Sequence, residues 1–379
     1  MTASNSPRPE RNPRPQVLFY RSDRDTSPAG HDSCTKARVA EGLAGLLGGE
    51  FGGEFDEKCL PRGRLYLVPS ETLTLAHAHR LGLRSVDDLF GGVVPFPFVA
   101  SKVISHPLPE RHSPAPAGWS TRFTEKVQDA VLPGYSVFSA ADARLAGGRL
   151  LEEGAVRLKD PGGVGGAGQW VVGNGTELEW RLKEIGTDAL WRRGLVLERN
   201  LRQVVTHSVG QVQVGEFLAA YHGIQCTTRN HCGAEVYGGS EIIVSRGGFD
   251  SMIGMQLGST VRLAVEQAMA YHRAALSTFG GMFVSRCNYD VAQGIDDSGA
   301  QRSGVLEQSW RIGGASGAEV AALRALAADP SLQVVRACTC ERYGGNTPVP
   351  TGAWLLYDGV DDRVGRITKY ALASGHDDA

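Results

Sequence analysis

The sequence lacks any run of about 18 apolar residues, which excludes a helical membrane span and leaves no membrane partner to expect. It also lacks an excess of either charge. Its 39 Lys+Arg stand against 41 Asp+Glu for a net charge of −2, so no basic field exists to hold a polyanion, and nucleic acid is excluded as a general partner. Aromatic residues are sparse at 7%, and the six tryptophans are spread too widely to form a stacking platform for single strands. Cysteine is scarce and unpaired in pattern: seven residues, Cys34 to Cys340, with no zinc-like grouping. An odd, scattered set suits a reducing compartment. Met1 to Arg14 lacks the apolar stretch of a signal peptide, so a cytoplasmic location is expected.

What the sequence has in excess is glycine, 49 in 379 residues, about 13% against a usual ~7%. The glycines cluster without a period, which rules out collagen and points to turns and close backbone approaches. At roughly 100–200 residues per domain, the length predicts two or three domains. Residues 1–15, rich in proline and charge, read as a disordered tail. Strand-like Gln16–Tyr20, a helix over 35–47 ended by a glycine-rich break at 48–53, a strand at 64–69 and a helix at 73–81 alternate as in an α/β unit. Proline-rich 106–118 is the first linker. Beyond it the pattern predicts helices over 121–131, from Ser139 to about Gly147-Gly148, after a Thr176-x-x-Glu179 capping box, and over 259–279. Antiparallel strands are expected over 203–246, with two more near 282–292 and 303–308.

Three places carry candidate chemistry. In Lys159-Asp-Pro-Gly-Gly-Val-Gly-Gly-Ala-Gly168 a strand delivers a lysine, and Gly162, Gly163, Gly165, Gly166 and Gly168 follow before the next strand. Glycines let backbone N–H groups approach an anion and the lysine supplies charge, although a surface hairpin fits the same pattern. In Leu195-Val-Leu-Glu198-Arg-Asn-Leu201 a glutamate ends an apolar strand, where its carboxylate and the Leu201 backbone are placed to meet a purine edge or simply water. In the third place, Asp290 and Glu307 fall on two strands separated by a polar loop, with Ser309 and Arg311 just beyond. Two carboxylates on paired strands suit a hard cation that also binds substrate phosphates; taken singly, each also fits a surface ion pair. Arg311 is placed to meet a phosphate or carboxylate oxygen.

In this order the three sites resemble the ATP-grasp superfamily of ATP-dependent carboxylate–amine ligases over about residues 120–320, nearest to an uncharacterised bacterial group within or beside it. The resemblance implies an α/β fold with α+β lobes: a two-lobe nucleotide clamp behind a small α/β N-terminal domain. The corresponding boundaries are 16–112 for the N-terminal domain, 113–201 for the small lobe and 202–375 for the C-terminal lobe with the metal site. It implies ATP and Mg²⁺, with Mn²⁺ as a possible substitute, and small-molecule carboxylate and amine substrates joined through an acylphosphate. Lys159 and the five glycines would cover the phosphates as a lid, Glu198 and Leu201 would hold adenine, and Asp290, Glu307 and Ser309 would hold metal. Lys159 and Arg311 would balance charge in the transition state. Ser309 stands where the family has asparagine, and Trp310 where it has proline. For the family's earlier ATP lysine the candidates are Arg122 and Lys126. A nucleotide-binding sensor or scaffold without turnover, and a kinase-like phosphotransferase, are the alternatives. Oligomeric state is left open.

Overall fold

A computed structural model describes residues 14–21, 30–59, 63–163, 168–345 and 348–375. The N-terminal elements are β1 (Gln16–Tyr20), α1 (His31–Leu46), β2 (Glu50–Glu54), β3 (Leu65–Pro69), β4 (Leu73–Thr74), α2 (Leu75–Arg80) and β5 (Gly92–Val94). Val17, Leu18 and Phe19 are all buried, so β1 takes the centre of a parallel sheet in the order β2-β1-β3. The glycine-rich break expected at 48–53 ends α1 but then turns back as β2, paired in parallel with β1. The proline-rich stretch after β5 forms two 3₁₀ turns, Pro97–Ala100 and Lys102–Ser105, before α3 (Thr121–Val127). Pro97 opens the first of them, where its fixed φ fits and its missing N–H costs nothing.

The small lobe comprises β6 (Gly134–Val137), α4 (Ala140–Leu151), β7 (Val156–Lys159), β8 (Gln169–Val172), α5 (Gly175–Ile185), α6 (Thr187–Arg193) and β9 (Leu195–Arg199). Its antiparallel sheet runs β6-β9-β7-β8. Strand alternation divides the sheet's faces. Val156, Leu158, Leu195 and Leu197 point into a core with Leu178 and Leu182 of α5, while Lys159 and Glu198 fall on the other face. The Ser139 hydroxyl caps α4 by accepting from the Asp142 N–H, as its sequence predicts. Two local expectations fail. Helix α4 continues through Gly147-Gly148, because Gly147 lets the helix approach Leu178: a Cβ there would lie 2.4 Å from its Cδ2. Helix α5 is capped by Asn174, not by the Thr176/Glu179 box. The Asn174 side-chain oxygen accepts from the Glu177 N–H, and Glu177 reaches back to the Gly173 N–H. Asparagine ranks above threonine as an N-cap, and the earlier pair wins.

The large lobe holds β10 (Arg202–Val214), β11 (Phe217–Arg229), β12 (Glu235–Arg246), α7 (Phe249–Ile253), α8 (Ser259–Thr278), β13 (Phe283–Val284), β14 (Arg286–Ile295), β15 (Gln301–Ser309), α9 (Ser316–Ala328), β16 (Val334–Tyr343), β17 (Trp354–Asp361) and β18 (Gly365–Gly375). Its main sheet is antiparallel in the order β15-β14-β10-β11-β12-β16-β18-β17. Helix α8 covers one face through Val265, Ala268 and Ala275 against Val209, Tyr289 and Val291. On the opposite face, α9 and the N-terminal α1 share a core with Val212, Tyr221, Val244 and Val335. The uncovered part of that face, between α1 and the small lobe, is where the cleft lies. Among the described residues no helix is long and apolar enough to cross a membrane.

Candidate nucleotide and metal site

One cleft of about 720 Å³ opens between the small lobe, the main sheet and the N-terminal end of α1. Lys159, Glu198, Leu201, Asp290, Glu307, Ser309 and Arg311 all line it, although they come from four strands and two loops. Of the glycine loop, Gly162, Gly163 and Gly168 lie outside that lining. The Gly162 N–H is held by the Asp160 carboxylate at 2.8 Å, and Gly168 has a positive φ of 69°. Gly165 and Gly166 fall outside the described residues.

At one end of the cleft, the Lys159 ammonium lies 2.5 Å from Glu198 Oε1, with both side chains almost wholly buried. Burial alone would raise the Glu198 pKa, but the Lys159 charge overrides it, with His106 adding to the effect, and the carboxyl is held at about 2. His106 is equally buried, with Nε2 3.4 Å from Glu198 Oε2. That contact lacks hydrogen-bond geometry: among the described residues Glu198 Oε2 and both His106 ring nitrogens have no hydrogen-bond partner. Buried polar atoms without partners are costly, which makes this end of the cleft suited to a polar ligand.

At the middle of the cleft, Asp290 on β14 sits in register opposite Glu307 on β15. Burial and the neighbouring Glu307 charge push the Asp290 pKa up to about 6. The Asn288 amide donates to Asp290 Oδ1 at 2.8 Å, and its oxygen faces the Tyr221 hydroxyl at 2.9 Å. Asn288 therefore orients the acid rather than offering a free oxygen. Ser309 Oγ accepts from Arg286 Nη1 at 3.3 Å, and Trp310 is a core residue whose indole N–H donates to the Tyr289 hydroxyl at 2.9 Å. Two hard carboxylates repelling one another in a part-buried wall fit a divalent cation. Among the described residues no group of three His, Cys, Asp or Glu side chains gathers as a metal cluster, so the remaining ligands would have to come from elsewhere.

Three functional candidates escaped the sequence. Lys102, in the 3₁₀ turn before α3, pairs with Glu307 and donates to the Gly163 carbonyl at 3.0 Å. Arg286 and Glu319 form a fully buried ion pair beneath the cleft, and Arg286 Nη1 also reaches the Arg311 carbonyl at 2.6 Å. His106 is the third. Arg122 and Lys126 do not line the cleft; Lys126 donates to Ser277 on the outside of α8. The far end of the cleft is walled by Asp32 and Lys36 of α1, paired at 2.8 Å, and by Glu341 and Lys369, paired at 3.0 Å. Arg229, His231 and Arg246 take no part in the lining. Arg246 instead donates to the carbonyls of Leu332 and Asp329 beyond the end of α9.

A family model described as "Protein of unknown function (DUF3182)" matches residues 19–371. The chain belongs to the DUF3182 family. No curated protein matches the sequence. Among solved structures, this DUF3182 chain is similar to a biotin carboxylase from Campylobacter jejuni in complex with a β,γ-ATP compound, at 11% identity and TM-score 0.54, over 95% of this chain and 87% of that one. It is similar to an N5-carboxyaminoimidazole ribonucleotide synthetase bound to ADP, at 12% identity and TM-score 0.51, over 96% and 93%. It is also similar to the biotin carboxylase domain of a Hydrogenobacter thermophilus 2-oxoglutarate carboxylase with MgADP, ADP and bicarbonate, at 10% identity and TM-score 0.51, over 95% and 86%. At these identities the likeness is one of fold. The DUF3182 chain shares the mixed α/β fold of these structures.

Proposed function

We propose that this protein is an ATP-dependent ligase that joins a carboxylate to an amine or similar nucleophile through an acylphosphate. The observation that carries the reading is the meeting of Lys159, Glu198, Asp290, Glu307 and Arg311 around one cleft in the order the ATP-grasp resemblance requires. The ADP and MgADP complexes of similar folds support it. In this reading residues 16–112 form the N-terminal domain, 113–201 the small lobe and 202–375 the C-terminal lobe.

Adenine would occupy the Glu198–Leu201 end, with the unpartnered Glu198 Oε2 accepting from its amino group. Lys159 would then turn from Glu198 to the nucleotide phosphates, which leaves the buried Glu198 carboxylate to be met by the adenine amino group and by His106 Nε2, 3.4 Å from its Oε2. Asp290 and Glu307 would hold Mg²⁺, or Mn²⁺ in its place, with the Ser309 hydroxyl as a third oxygen. The metal's contribution is to neutralise charge on the phosphates. Arg311, its backbone fixed by Arg286, would face the transferred phosphoryl group. A substrate carboxylate oxygen attacks the γ-phosphorus and ADP leaves. An amine nitrogen then attacks the acyl carbon, phosphate leaves, and the amine gives up a proton. The end of the cleft beside Asp32, Lys36, Glu341 and Lys369 is left for these two substrates.

A second reading, nucleotide binding without turnover, draws on one observation. Asn288 and Ser309 already serve Tyr221 and Arg286, and of the two acids Asp290 accepts from Asn288 while Glu307 pairs with Lys102, so every candidate metal ligand has a protein partner.

Thermal unfolding with ATP, with and without Mg²⁺, tests the clamp. Ligand at 100 times its Kd should add roughly 2.7 kcal/mol, a rise of several degrees in Tm. Lys159→Ala and Glu307→Ala should reduce it. A folded wild type that shows no shift would end the nucleotide reading. Phosphate release from ATP that depends on an added carboxylic acid and amine separates ligation from binding alone, and a stable phosphorylated product would indicate the kinase-like use.

A further inference from the structure

Lys102 is delivered to the cleft by a segment clamped from both sides. On the large lobe, the Gln308 amide of β15 donates to the carbonyls of Val99 and Ser101 at 3.1 and 2.8 Å. On the small lobe, the Ser136 hydroxyl of β6 donates to the Val103 carbonyl at 2.5 Å. The lysine's own backbone therefore has little freedom, and only its side chain can choose a partner. That side chain is 5% exposed, and its ammonium bridges Glu307 and the Gly163 carbonyl.

We propose that Lys102 is a positioning residue that holds Glu307 in the nucleotide-free protein and makes metal entry depend on nucleotide. The proposal rests on the nucleotide-and-metal reading above. Glu307 is the charged partner of Lys102 at this junction, since the other contact is a neutral carbonyl. A divalent cation arriving alone on Asp290 and Glu307 would strip a buried ammonium of its counter-charge and sit close to it. Both effects are unfavourable where water is scarce. A nucleotide phosphate removes the conflict by giving Lys102 a second anion within reach of a flexible four-carbon stem. Nucleotide and metal thus bind with positive coupling, and by linkage each favours the other equally. The sequence does not reveal this arrangement, because Lys102 precedes the small lobe in a proline-rich stretch while Glu307 lies in the large one.

The experiment is Mn²⁺ binding, read from the free-ion paramagnetic resonance signal, with and without ADP. Wild type should bind Mn²⁺ at least tenfold more tightly with ADP than without it. Lys102→Met should bind Mn²⁺ alone at least tenfold more tightly than wild type, so that the effect of ADP on metal binding shrinks by the same factor to what the phosphates themselves contribute as ligands. Lys102→Gln, which keeps a donor for the Gly163 carbonyl but no charge, should behave the same way and guards against a folding defect in the first variant. Metal binding without ADP that is unchanged or weaker in both folded variants overturns the proposal while leaving the clamp intact. A wild type that binds no Mn²⁺ even with ADP overturns the clamp reading and the proposal together.

Discussion

Lys159 and Glu198 lie diagonally across β7 and β9, on the face of the small lobe turned to the cleft, and their charges meet at 2.5 Å with almost no exposure to water. Neither charge is stable there without the other. Lys159→Ala is therefore expected to cost about 3–5 kcal/mol, the penalty for stranding a buried carboxylate. A double variant, Lys159→Met with Glu198→Gln, should recover much of that loss. Urea unfolding of the three proteins checks it, and a single variant as stable as wild type would disprove the coupling. The pH sign follows from a depressed folded-state pKa. The contribution of Glu198 is complete above the ordinary carboxylate range and is lost as pH falls through that range toward about 2.

Asp290 has the opposite sign. Burial and Glu307 raise its pKa to about 6, so the folded protein favours the protonated acid. Without metal, the stability this group contributes should decline as pH rises through about 6. Metal requires the ionised form, so the Mg²⁺-dependent part of an ATP thermal shift should grow over the same interval. Asp290→Asn should abolish both trends. Tm measured from pH 4 to 7, with and without Mg²⁺, spans the interval from the ordinary carboxylate range to about 6 and reads both at once; parallel trends would refute the assignment.

Arg286 supports the site from below. Its guanidinium binds Glu319 through Nε and Nη2, and the Tyr221 hydroxyl adds a contact to Glu319 Oε1 at 2.6 Å. Arg286→Ala should cost about 3–5 kcal/mol in denaturant unfolding, because Glu319 is wholly buried. Lysine should not restore it, since a point charge cannot reproduce the two-pronged contact and the bond to the Arg311 carbonyl. Full stability in Arg286→Lys would show that charge alone suffices.

Two adjacent glycines in α4 should respond in opposite ways. A methyl at Gly147 would collide with Leu178, whereas at Gly148 nothing lies within 4 Å. Gly147→Ala is expected to lose about 1–3 kcal/mol through overpacking. Gly148→Ala should gain about 0.5–1 kcal/mol from helix propensity. Equal effects in thermal unfolding would contradict the close approach of α4 to α5.

The strands that carry the cleft were legible because their local signals agree. Apolar alternation marks β7 and β9, and the polar loop between β14 and β15 lets Asp290 and Glu307 be matched from the residues alone. Lys102 was not legible. It lies between the proline-broken 92–99 stretch and the linker expected at 106–118, and nothing local says that Gln308 will clamp the segment beside Glu307. The Arg286–Glu319 pair was hidden for a related reason: each residue looks like an ordinary surface charge until β14 and α9 are packed together. Gly147-Gly148 read as a helix stop because glycine's backbone freedom and its small size leave the same mark in a sequence. Only the position of Leu178 separates them.

The hydrogen bond from the Arg199 N–H to the Pro133 carbonyl, 2.9 Å long, closes the small lobe at its base. The chain enters the small-lobe sheet and leaves it at neighbouring points, and the residues between have a core of their own. That makes residues 134–199 a cassette in the evolutionary sense. Its helices and loop can be exchanged or reshaped through two adjacent splice points, while the acids on β14 and β15 keep their register.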